Sequence, residues 1–93
     1  MNREEHLLSC LAEECAEVAQ RVSKALRFGL EEVQPGQGKN NAQRIEEELA
    51  DLIAVSGFLV REGIIEPPQP DYDGKRAKIE KFMAISREQG VLQ

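Results

Sequence analysis

Four acidic residues in two pairs offer the clearest chemistry in this sequence. Glu14 and Glu17 stand three residues apart in Glu13-Glu14-Cys15-Ala16-Glu17-Val18. Glu48 and Asp51 repeat the spacing in a second segment, Glu47-Glu48-Leu49-Ala50-Asp51-Leu52. On a helix, residues three apart share a face, one turn from each other. Two such helices packed together would bring four carboxylates into one place, and a cation or raised pKa values must then relieve their repulsion. Oxygen ligands without a histidine or thiol cluster favour Mg²⁺, with Mn²⁺ as a substitute. Any one of these glutamates alone would be read as a solvated surface group. The duplication of spacing, phase and apolar surroundings is what argues for a site.

The elements that must position the acids are legible from periodicity. With Leu11 as origin and about 100° per residue, Cys15, Val18 and Val22 cluster with it, Glu14 falls about 60° to one side, and Glu17 about 60° beyond. Starting from Ile45, Leu49, Leu52 and Ser56 make the matching stripe, and Glu48 and Asp51 take the same offsets. Both pairs are therefore expected on the shoulder of an apolar stripe. Asn2 with Glu5 can open the first helix as a capping box and Gly29 can end it. Asn40 with Gln43 can open the second, which runs to about Glu62 before Gly63.

Between these helices, residues 31–40 form a loop punctuated by Pro35, Gly36 and Gly38. Its Gly-x-Gly-Lys fragment lacks the glycine spacing, the Ser/Thr and the preceding strand of a phosphate loop. After the second helix, Glu66-Pro67-Pro68-Gln69-Pro70 predicts a short extended linker. Asp71 or Asp73 can then cap a third, shorter helix from Gly74 to about Gln89, with Gly90 as its stop. The fold class is all-α.

Length and composition narrow the function. The 93 residues predict a single domain, 1–93, with a modest aliphatic core, since aromatic residues make up only 4%. Long helices in so short a chain cannot cover all their apolar surface, which predicts a homo-oligomer. A net charge of −5 argues against a nucleic-acid partner. No apolar run is long enough to span a membrane, and the N-terminus lacks the apolar segment of a secretory signal, so the expected location is cytoplasmic. Were the source a phage, that would be the host cytoplasm. Cys10 and Cys15 point in different directions from one helix and are expected as free thiols, with Cys15 in the core. His6 is a lone histidine without metal-ligand neighbours and reads as a surface or pocket residue.

At Glu14-x-x-Glu17 followed by Glu48-x-x-Asp51, the chain resembles the MazG-like all-α nucleoside triphosphate pyrophosphohydrolases, whose signature is an acidic pair on each of two antiparallel helices. The neighbouring Leu11-Ala12-Glu13-Glu14 and Glu47-Glu48-Leu49-Ala50-Asp51-Leu52 also match, and the likeness covers roughly residues 5 to 62. Lys75-Arg76-Ala77-Lys78-Ile79-Glu80-Lys81-Phe82 looks like the third-helix segment of short, phage-type members.

The resemblance implies Mg²⁺-dependent hydrolysis of the bond between the α and β phosphates of a (deoxy)nucleoside triphosphate, releasing the monophosphate and pyrophosphate. It implies dimers, or tetramers built from two dimers, around four-helix cores. Glu14, Glu17, Glu48 and Asp51 become metal ligands and catalytic residues, with Glu13 and Glu47 ranked below them. Lys24, Lys78 and Lys81 are candidates for the substrate phosphates, and Lys39 or Asn40 could touch the substrate from the loop. Related phosphoribosyl-ATP pyrophosphohydrolases give an alternative substrate. A non-catalytic helical oligomerisation or regulatory module is the reading outside enzymology.

Overall fold

Local sequence sets the helix ends. In the computed structural model, which describes residues 1–93, Asn2 accepts a hydrogen bond from the Glu5 backbone N–H and opens α1 (Arg3–Phe28). Gly29 ends it with φ +98°, a backbone conformation open to glycine. Asn40 and Gln43 form the full reciprocal capping box at the start of α2 (Asn41–Arg61). The third helix, α3 (Tyr72–Glu88), begins earlier than the expected Gly74 because Asp71 is its cap, accepting from the Gly74 N–H. The fold is three helices without a sheet; a lone bridge between Val33 and Asn40 closes the first loop.

α1 and α2 pack as an antiparallel hairpin, and α3 touches neither. Arg3 at the start of α1 pairs with Glu62 just beyond α2 at 3.1 Å. At the other end, the buried side chain of Asn41 donates to the Gly29 carbonyl (2.8 Å) and to Glu32 (3.1 Å). The radius of gyration is 16.8 Å, against about 12 Å for a closed globule of this length. Only Ala25 and Leu59 form a buried apolar core.

Burial follows a regular track along each helix. On α1 it includes Leu7, Leu11, Glu14, Val18, Arg21 and Ala25; on α2 it includes Asn41, Ile45, Glu48, Leu52, Val55 and Leu59. Steps of four and three alternate, as they do where two helices share a shallow seam. The sequence offset that carries Glu14 to Glu48 also carries every other member of the first track to a member of the second, Leu7 to Asn41 and Ala25 to Leu59 included. The repetition first seen in the acids therefore runs through the whole seam.

The expected stripe of Leu11, Cys15, Val18 and Val22 is displaced. The contact line is rotated by about 50° toward the acids, which moves Glu14 and Glu48 from the shoulder into the seam. Cys15, expected in the core, is exposed, and so are Val22 and Leu49. The reason is width: the apolar surface of α1 is broad enough for two contacts, and α2 takes only one of them. One residue on from the seam, Leu8, Ala12, Cys15, Ala19, Val22 and Leu26 form a second row, all exposed. Leu49 and Ile53 continue it on α2, with Ile53 at 71% exposure.

In an antiparallel pair with this repeat, positions just after the seam lie on one side of the hairpin and positions just before it on the other. Glu17 precedes Val18 and Asp51 precedes Leu52, so the two outer acids face away from the open apolar rows.

Candidate metal centre

The seam brings one acid from each helix into its middle. Glu14 and Glu48 hold equivalent seam positions and are half-buried, and Glu17 lies one turn along α1 from Glu14. One oxygen from each of Glu14, Glu17 and Glu48 fits within a set whose members lie no more than 4.8 Å apart. Asp51 stands outside that set, exposed, but close enough for its charge to act on Glu14.

Electrostatics record the crowding. Glu14 has its pKa raised above the ordinary 4.5, first by desolvation in the seam and then by the charges of Asp51, Glu48 and Glu13. Glu17 is also raised, chiefly because its protonated carboxyl hydrogen-bonds Glu48, and then by the charge of Glu48 itself. Both shifts follow from carboxylates crowded together, which favours their protonated forms.

The donor set fits a hard divalent cation. All the converging atoms are carboxylate oxygens, and Glu14 Oε2 and Glu48 Oε2 are buried without a hydrogen-bond partner. Oxygens around one octahedral Mg²⁺ lie at most about 4.2 Å apart, so small side-chain rotations close the set. Buried polar atoms left unsatisfied are costly, and an ion of opposite charge would satisfy both.

Residues 2–66 match the family model described as the MazG nucleotide pyrophosphohydrolase domain. The chain belongs to that family. The MazG match spans α1, the loop and α2, which are the elements that carry the acids, and ends before α3. No curated protein and no solved structure matches the chain. No helix is long and apolar enough to cross a membrane.

The basic candidates are dispersed. Lys24 is half-buried on α1. Lys39 forms an ion pair with Glu47, and the Asn40 side chain is occupied in capping α2. Lys78 and Lys81 lie on α3, away from the hairpin that holds the acids. Phe28 is half-exposed, with the Arg27 guanidinium 5.1 Å from its ring centroid.

One residue at the MazG acid cluster escapes a reading of the sequence. Arg21 lies in the seam with its Nε 3.8 Å from Glu48 Oε1. In the sequence it groups with Lys24 and Arg27 as charge near a helix end. The signal that could have found it is the repeat itself: the residue that corresponds to Arg21 in the second copy is Val55, so a charge occupies a place where the copy has an apolar side chain.

Proposed function

We propose that this protein hydrolyses the α–β phosphate bond of a (deoxy)nucleoside triphosphate, releasing the monophosphate and pyrophosphate with Mg²⁺. The observation that carries the reading is the convergence of Glu14, Glu17 and Glu48 on a hairpin that lies within the family match. When bound, Mg²⁺ supplies charge that acidifies an attacking water and stabilises the phosphates in the transition state.

The chain's own residues supply the rest. Glu14 and Glu48 hold the cation from inside the seam, where the two packed helices keep their side chains from splaying. Glu17 and Asp51 lie on the side of the hairpin opposite the apolar rows, where the substrate enters. Glu17, one turn along α1 from Glu14 and at the edge of the seam, is the acid placed to accept a proton from the water. Lys24 neutralises phosphate charge from the same helix.

Assembly belongs to this proposal. The exposed rows of Leu8, Cys15, Val22 and Leu26 on α1, with Leu49 and Ile53 on α2, share one side of the hairpin. A second copy laid against that side completes a four-helix core, as a dimer or a pair of dimers. In such an assembly Lys78 and Lys81 on α3 are available to the acids of a neighbouring copy.

Pure protein incubated with Mg²⁺ and a panel of ribo- and deoxynucleoside triphosphates, with phosphoribosyl-ATP included, tests the reaction. Monophosphate and pyrophosphate in equal amounts are expected from at least one triphosphate. Release of inorganic phosphate instead, or inactivity across the panel with both Mg²⁺ and Mn²⁺, would refute it. Turnover of phosphoribosyl-ATP alone would replace the substrate and leave the chemistry.

A further inference from the structure

Arg21 is an anomaly of the seam. Its fellow positions on α1 are Leu7, Leu11, Glu14, Val18 and Ala25, and its counterpart on α2 is Val55. The side chain is only 17% exposed, and Glu48, its partner, 14%. A guanidinium sheltered to this degree needs an opposite charge nearby.

The choice of partner is informative. Glu17 precedes Arg21 by one helical turn on α1, the favourable order for an intrahelical ion pair. Arg21 crosses to α2 instead and faces Glu48, and no other cation lies within ion-pair distance of Glu14, Glu17, Glu48 or Asp51. The contact is loose: at 3.8 Å it is an ion pair without a hydrogen bond, and Glu48 Oε2 remains unpartnered. Arg21 therefore neutralises part of the cluster without closing it.

Resting on the reading of this cluster as a divalent-cation site, we propose that Arg21 is its built-in counter-cation. It holds Glu48 in place while the site is vacant and weakens divalent binding by opposing the incoming charge. Arg21 is a positioning residue here, acting on the cation through Glu48 and through space.

The sign of the effect separates this role from a merely structural one. Loss of a packing residue would loosen the seam and lower metal affinity. Loss of a competing positive charge raises it. A unit charge about 6 Å from a divalent ion, screened as in water, changes affinity by about tenfold.

The test is calorimetric titration of Mn²⁺ and Mg²⁺ into wild type, Arg21→Met and Arg21→Lys, with circular dichroism and metal-free thermal unfolding recorded for each. Arg21→Met is expected to bind about tenfold more tightly than wild type while melting at a lower temperature without metal. Arg21→Lys, which keeps the charge, is expected near wild type in both. Should Arg21→Met fail to fold, Arg21→Gln keeps a polar head in the seam and carries the same expectation. Saturable binding in wild type with equal or weaker binding in the neutral variant overturns the role of Arg21 and leaves the metal site standing. No saturable binding in any of the proteins overturns both.

Discussion

Glu14 and Glu48 occupy the same position in two copies of one seam pattern, and each presents a buried oxygen that no protein group satisfies. A seam position is where an apolar side chain would stabilise the hairpin most. The fold gives up that packing at its centre.

Neutral replacement should therefore separate stability from activity. Glu14→Gln removes charge from the cluster while keeping shape, so the metal-free protein is expected to melt at a higher temperature. Turnover is expected to fall roughly 100-fold or more, as it does when a charge-stabilising group is lost. Thermal unfolding in chelator and a pyrophosphate-release assay read the two effects.

Glu14 and Glu17 have folded pKa values raised above 4.5. Where the folded state binds more protons than the unfolded one, stability falls as pH rises. The metal-free protein is thus expected to lose this part of its stability as pH climbs from the ordinary carboxylate value through the raised ones, and to regain it on acidification. Adding Mg²⁺ should flatten the dependence, because the cation takes the place of the protons. Unfolding scans across pH in chelator and in Mg²⁺, on wild type and on Glu14→Gln/Glu17→Gln, measure it; an identical slope in the double variant would remove the assignment.

The hairpin itself hangs on few residues. Leu59 is wholly buried, and Leu59→Ala should cost about 2–5 kcal/mol. Asn41 is 1% exposed and ties the two helix ends together through Gly29 and Glu32. Asn41→Ala should cost about 1–3 kcal/mol, since the carbonyl it serves is left without that donor. Denaturant midpoints at fixed protein concentration test both.

Ile53 lies on the open side, away from the acids and from the seam. Ile53→Glu is expected to shift the protein toward monomer and lower its melting temperature while leaving its helix content largely intact. Sedimentation of wild type and variant reads this directly. A wild type that sediments as a monomer at working concentration would end the case for assembly.

Much of this fold is legible in the sequence because it is decided locally. Asn2, Asn40 and Gly29 act within one turn of where they sit, and the acidic spacing is a property of each helix alone. What the sequence leaves open is how far each helix turns about its own axis. Leu7, Leu11 and Val18 make an acceptable contact face, and so do Leu11, Cys15 and Val22; only a partner's position chooses between them. Arg21 is hidden for the same reason, since its place in the seam depends on that rotation.

The separation of α3 has a consequence in time. A 17-residue helix with neither of the other helices packed against it is close to the length at which isolated helices are marginal in water. Its backbone amides should exchange with solvent deuterium much faster than those of the α1–α2 seam. The hairpin, whose partners are near in sequence, can form first and quickly. Ordering of α3 then belongs to a later step, and its exchange rate should slow with rising protein concentration if a second chain is what receives it.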